Sequence, residues 1–247
     1  MDKPIVHLKT IEEGLYRSVY IDYEKIYGNV KTICDSGYST KEISGIRYTR
    51  LEWVIIFKFD NKGNEIEVDG FDGENAFKYK SLFTYYTDGK IEKQYYYRPG
   101  NTLRFTYVYN YDSNRHEVGY DLYARDEDNF PDSKFIDSLD SKGNVIQKSL
   151  IEQGQLTLRT FAIVHDDRGN IISSNFTNIT DTLEDQFKYD DSDNKTQQTC
   201  IEGRKNAIDS IRFKYTNKDI YGNWLKKWVY KNDTLENGTH RKITYYE

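Results

Sequence analysis

The sequence predicts an all-β protein: a repeat-built antiparallel meander of about eight β-hairpins with a period of about 26 residues. Three observations predict it. A phrase of two alternating aromatic or large apolar residues, an acidic residue, two fillers and a turn recurs seven times between residues 57 and 223. Rings also recur at every second position, as in Phe105, Tyr107, Tyr109 and Tyr111, which places them on one face of one strand. Finally, hydrophobic residues are only 37% of the 247, yet aromatics reach 15%, with 23 Tyr. Disordered chains carry few aromatics, whereas rings pack well on a half-wet pleated sheet.

The copies run Phe57-x-Phe59-Asp60-x-x-Gly63-Asn64, Phe83-x-Tyr85-x-x-x-Gly89, Tyr109-x-Tyr111-Asp112 and Leu139-Asp140-x-x-Gly143-Asn144, then Ile163-x-His165-Asp166-x-x-Gly169-Asn170, Phe187-x-Tyr189-Asp190 and Asp219-x-x-Gly222-Asn223. The acidic position, a Tyr in the second copy, advances in steps of 26, 26, 28, 26, 24 and 29 residues. Asp at the first place of a type I turn accepts hydrogen bonds from the turn backbone, and Gly at the fourth closes a bulged loop with positive φ. Each unit therefore reads as strand, tight turn, strand and a looser return.

Three sections follow along a single repeat domain: an irregular N-terminal unit at 1–50, central hairpins at 51–218 and a capping hairpin at 219–247. Ile26-Tyr27-Gly28-Asn29 matches Ile220-Tyr221-Gly222-Asn223 and marks an eighth unit. The 35-residue gap from Gly28 to Gly63 then holds one longer connection. Sixteen or so strands cannot stay flat in one sheet. The first expectation is an elongated curled sheet or open spiral, and the alternative is a wide barrel or two packed sheets. An open sheet leaves an edge at each end. Lys226, Lys227, Lys231, Arg241 and Lys242, beside Trp224, Trp228, Tyr245 and Tyr246, would blunt the last one.

The net charge of −5, with no basic stripe, argues against nucleic-acid binding. No apolar run approaches the length of a membrane helix. Met1 to His7 has no apolar leader core. Either Met1 is native and the protein works in the cytoplasm, or a signal segment, with any lipid anchor, preceded it. Cys34 and Cys200, the only cysteines, neither establish nor exclude a disulfide.

No catalytic motif stands out. His7, His116, His165 and His240 are far apart in sequence, so no zinc spacing exists. His165 reads as a turn-flanking residue. Asp190-Asp191-Ser192-Asp193-Asn194 and Asp126-Glu127-Asp128-Asn129 gather oxygen atoms but lack the spacing of a calcium loop. With 40 acidic residues some carboxylate pair always fits a hydrolase distance, so such a pair carries no weight. No metal or other cofactor is expected, and no enzyme activity. Trp53, Tyr95, Tyr96, Tyr97, Trp224 and Trp228 are the candidate binding platform for a protein or glycan. Trp224 and Trp228, an even number apart, would share a strand face. The competing reading is that these rings cover the core.

The Tyr/Phe-x-Tyr-Asp-x-x-Gly-Asn phrase, with Asp219 to Lys227 and Arg241 to Tyr246 as its closing unit, resembles the YD or RHS-type repeat of small bacterial envelope proteins, often lipoprotein-like. The resemblance covers roughly residues 50–247 and implies fold and address: the cell envelope or exterior of certain Gram-negative bacteria. Large relatives wind such repeats into a shell around a toxin. This chain is too short for a shell and has no toxin or autoproteolytic segment. Asp-Ser/Thr-apolar triplets at Ser138, Thr182, Ser210 and Thr234 resemble the O-glycosylation motif of some of the same bacteria, although turns favour Asp and Ser in any case. Asn-x-Thr occurs at Asn175, Asn178, Asn194, Asn232 and Asn237. The leading expectation is a non-enzymatic binding or scaffold protein of the envelope. The others are an immunity or scaffold partner of a secreted toxin system and an uncharacterised hydrolase.

Overall fold

The computed structural model describes residues 5–11, 21–43, 46–114, 116–124, 131–152, 155–177, 182–202 and 207–247, and every regular element among them is a β-strand. Strands β1 (Ile5–Ile11) and β2 (Ile21–Tyr27) form a separate antiparallel pair. Sixteen more follow: β3 (Val30–Ile43), β4 (Ile46–Phe59), β5 (Glu65–Asp72), β6 (Phe77–Tyr85), β7 (Ile91–Arg98), β8 (Thr102–Tyr111), β9 (Glu117–Tyr123) and β10 (Ser133–Leu139), then β11 (Val145–Glu152), β12 (Gln155–His165), β13 (Ile171–Thr177), β14 (Thr182–Tyr189), β15 (Lys195–Glu202), β16 (Ala207–Lys218), β17 (Trp224–Lys231) and β18 (Thr234–Tyr245). Their hydrogen-bonded order is sequential and closes as a barrel, because β18 pairs with β3. The sheet thus takes the second of the expected arrangements, not the open spiral. β17 and β18 do not end the sheet, so the expected capped edge does not exist. The extra length between Gly28 and Gly63 lies in strands rather than a loop, since β3 and β4 are 14 residues each and pair down to Ile43 and Ile46.

The repeated phrase has one geometry. Asp60 Oδ1 accepts from the amides of Lys62 and Asn64, while Asn64 Nδ2 donates to Asp60 Oδ2. The same three bonds recur at Asp140 and Asn144, at Asp166 and Asn170, and at Asp219 and Asn223. After five of the turns one extra residue bulges from the ladder. Phe59 pairs with Glu65 but Lys58 with Glu67, which leaves Ile66 over. Val118, Ile146, Ile172 and Thr196 occupy the same place in four later hairpins. Ile66, Ile146 and Ile172 are exposed for this reason. A bulge increases local twist, and repeated bulges coil a meander towards closure.

The eighth unit is split. Tyr245 pairs with Val30 and Thr244 with Thr32, so Lys31 takes the bulge position. The Tyr246 amide donates to the Asn29 carbonyl at 2.8 Å, as the Asp60 amide does to Asn64. Gly28, at φ +105, stands where Gly63 stands in its turn, and a side chain there would meet the Tyr245 ring. Two segments far apart in sequence, 28–31 and 244–246, therefore build the last turn and register without a covalent link.

Contacts group the chain into two compact units, Met1–Leu82 with Asp190–Asn194 and Ile211–Glu247, and Phe83–Tyr189 with Lys195–Ser210. In the first, Ile33, Phe57 and Val68 face one another across β3, β4 and β5 and are buried. In the second, Tyr107, Tyr109 and Tyr120 form the core, with Tyr96, Phe105 and Phe135 packed against them. Hydroxyls tie neighbouring hairpins: Tyr111 donates to the Ile91 carbonyl at 2.8 Å and Tyr189 to the Ile171 carbonyl at 2.9 Å. A phenylalanine would leave those carbonyls without this bond, at about 1 kcal/mol each.

Gly63 and Gly169 both adopt φ +86. Gly63→Val and Gly169→Val force a β-branched side chain into that region and should each cost more than about 1 kcal/mol. Unchanged urea midpoints for both variants would remove the turn's role in holding register.

Candidate functional site

The densest polar chemistry in the first unit lies at the β18–β3 pairing. Arg241 and Asp35 are direct cross-strand partners, with Nε to Oδ1 at 2.8 Å and Nη2 to Oδ2 at 2.7 Å. Glu24 on β2 completes the guanidinium's shell through Nη1 at 2.6 Å, and the Trp224 ring lies under it at 3.7 Å. Arg241, Asp35 and Trp224 are all buried. Burial alone would pull the guanidinium down, but the Glu24 and Asp35 carboxylates more than offset it and hold the cation firmly protonated.

A second cluster adjoins it. The Asn223 side chain accepts from the Tyr27 amide and donates to the Tyr27 carbonyl, each at 2.8 Å, so it acts as a strand partner for β2. Tyr245 donates a short hydrogen bond to Asp219 and accepts one from Asn223. Burial and that carboxylate raise the Tyr245 phenol, while the hydrogen bonds outweigh burial at Asp219 and lower it. Lys25 pairs with Asp193 at 2.7 Å. Arrangements of this kind fix strands to one another.

Other charged clusters are also engaged across strands. Lys58 and Lys80 bracket Glu67 and Asp69, and although partial burial acts against it, the two ammoniums bring Glu67 down to about 2. In the second unit buried Lys148 meets its cross-strand partner Asp137 at 2.7 Å. Both cysteines are free thiols. Burial, then a hydrogen bond to Asp185, pushes Cys200 up to about 12, and burial with Asp35 raises Cys34. Burial lowers His165 against the opposing pull of Asp140 and Asp166, so its ring is neutral. Asp190 is committed to the amides of its own turn, and no group of metal-ligating side chains converges among the described residues. The Asp126–Asn129 cluster, the His7 side chain and Asn178 lie outside those residues.

The candidate rings are dispersed. Trp53 lies over Gly37, its cross-strand partner on the buried face of β3, and Trp228 lies over its partner Gly238. Trp224 packs on Arg241 and Trp228 on His240 at 5.8 Å. Those are consecutive residues, which leave a strand on opposite faces, so the two tryptophans do not share a platform. Tyr96 belongs to the core of the second unit, and Tyr95 and Tyr97 are half-buried on the same strand. Ser138, Thr182, Ser210 and Thr234 are exposed.

What sequence reading missed is the company of Trp228. Across four strands Lys214, Trp228, Gly238 and Tyr38 form one row, and Lys226, His240 and Ser36 form the next. Tyr38 and His240 rings stand 4.9 Å apart. The alternation Lys226, Trp228, Tyr230 was visible in the sequence, but its pairing with β3 joins residues some two hundred positions apart and was not.

No family model matches the sequence, and no curated protein matches it. Solved structures do. A porin-like protein from Bacteroides uniformis overlays on 87% of this chain and 96% of its own, at a TM-score of 0.57 and 7% identity. At that identity the likeness concerns the fold alone. Looser overlays occur with TcdB2-TccC3 (11% identity, 86% of this chain, 15% of that one, TM-score 0.35) and with a DUF1329 family protein from Desulfovibrio piger (11% identity, 87% and 86%, TM-score 0.27).

Arg241→Met should destabilise the protein by about 3–5 kcal/mol, since it leaves two carboxylates buried without their cation. Replacing Glu24 and Asp35 by apolar residues in the same chain should recover most of that. A loss below about 1 kcal/mol in urea unfolding of the single variant would contradict the reading of this cluster.

Proposed function

We propose that the chain is a small YD/RHS-type repeat protein of the bacterial cell envelope or surface, non-enzymatic, whose sheet serves as a binding scaffold for a protein or glycan. One observation carries the reading: the strongest charged clusters are consumed between strands. Arg241, Asp219, Lys148 and the Glu67 cluster all answer to neighbouring chain segments. The two raised thiols are poor nucleophiles. What is left for a partner is the broad outward face of the sheet.

Support for the address comes from the repeat resemblance and from the fold shared with the porin-like protein. No helix among the described residues is long and apolar enough to cross a membrane. The strands do not read as lipid-facing either. The face opposite the buried rings carries exposed Lys134, Gln186 and Lys188 in the second unit and exposed Arg212, Lys214 and Lys242 in the first. A lysine or arginine at mid-bilayer on such a face costs about 2–4 kcal/mol. The barrel of this proposal works in water, beside the membrane.

Fractionation of source cells, followed by labelling of intact cells with a membrane-impermeant amine reagent, tests the reading. The protein should travel with the envelope or culture fluid, and the exposed lysines should label. Recovery wholly in the cytoplasm would overturn it.

A further inference from the structure

We infer that the outward face of β16, β17, β18 and β3 binds an anionic polysaccharide; this rests on the scaffold reading above and names its ligand class. The face is built around Trp228. Glycine at 238 lets the indole lie flat on the sheet, since a Cβ there would sit 2.6 Å from the ring. One ring face is thereby turned to backbone, the residue is half-buried, and His240 stands edge-on beside it. Tyr38 extends the aromatic row on the next strand, opposite Gly238. A flat ring backed by backbone is a stacking surface for the apolar face of a sugar.

Cations surround the ring. Lys214 is its cross-strand partner, Lys226 lies one row away opposite His240, and Lys242 follows opposite Cys34. None of these three lysines makes an ion pair among the described residues, in contrast to Lys58, Lys80 and Lys148. Arg212 adds a fourth charge over the Tyr230 ring and, among the described residues, pairs with exposed Asp233. A protein of net charge −5 thus gathers exposed positive charge beside one half-buried aromatic row. Charge complementarity specifies an anionic ligand.

Geometry selects among anions. Four strands at about 4.8 Å spacing give a row of about 14 Å, flat and open, suited to a chain of several sugar units rather than a small solute. A peptide added by main-chain pairing needs a free strand edge, and the closed order offers none here. Nucleic acid also stacks on rings and is the competing outcome that the test below separates.

Biolayer interferometry on the intact protein, with immobilised polygalacturonate, dextran sulfate, neutral dextran, poly-glutamate and an oligo-dT strand, tests the assignment. At least one anionic polysaccharide should bind, at least ten-fold more tightly than dextran, poly-glutamate or oligo-dT. Binding should weaken with salt. Trp228→Ala should lower it at least ten-fold, and Trp228→Phe should recover part of the loss. Because Trp228 covers Gly238, Lys214→Gln with Lys242→Gln gives a second test on exposed side chains that leaves the fold intact, and it should weaken binding at least five-fold. No binding to either anionic polysaccharide, equal binding to poly-glutamate or oligo-dT, or indifference to the lysine pair would overturn the inference. An envelope-located protein that fails this test still satisfies the scaffold reading, whereas a cytoplasmic protein that passes it does not.

Discussion

Arg241 against Asp35 is the interaction on which the closed order turns. It spans β18 and β3, the last and first strands of the barrel, whose pairing no loop enforces. Every other neighbouring pair of strands in the barrel follows in sequence, so its partner is tethered nearby. This one must be found across the whole chain, at a larger loop-closure entropy. The protein places a buried ion cluster there, with Glu24 recruiting β2 to the same point and Trp224 shielding the guanidinium. A buried cation with two carboxylates tolerates few alternative registers, because a slip by one residue would send Arg241 to the opposite face.

The split turn gives the same junction its register. Tyr245 and Tyr246 supply the strand half of the repeat, and Gly28 and Asn29 supply the turn half. The split unit shares its logic with several of the covalent ones: the turn is fixed by a carboxylate or backbone group, a bulge follows it, and at Tyr111 and Tyr189 a tyrosine hydroxyl binds the unit to the one before. Tyr245 reaching Asp219 and Asn223 is the split unit's version of Tyr111 reaching the Ile91 carbonyl. This machinery occupies the turns and the buried face and leaves aside the outward face of each strand, where Trp228 and its lysines lie.

Much of the fold was legible because its signals are local. The Asp-x-x-Gly-Asn phrase at Asp60, Asp140, Asp166 and Asp219 and the alternation through Phe105 to Tyr111 each state their own geometry within ten residues. Closure was not legible. Tyr246 stands where six of the seven other units carry Asp, so the split unit hides its identity, and nothing near Arg241 names Asp35 as its partner. Trp224 and Trp228 were misplaced relative to each other because even spacing decides a face only inside a regular ladder, and Trp224 is the first residue after a turn. Trp228 was visible, but its setting with Tyr38 and Gly238 exists only once β18 has met β3.

The split unit makes a demand on a group that would otherwise fray. Chain ends exchange their amide hydrogens rapidly unless tied down. Residue-resolved hydrogen exchange at the Tyr246 amide, which donates to the Asn29 carbonyl at 2.8 Å, measures the junction directly. The amide should be protected to the same degree as those of Asp60 and Asp140 in the covalent turns. Exchange of Tyr246 at the rate of an unstructured peptide, with Asp60 and Asp140 still protected, would contradict closure through a split repeat.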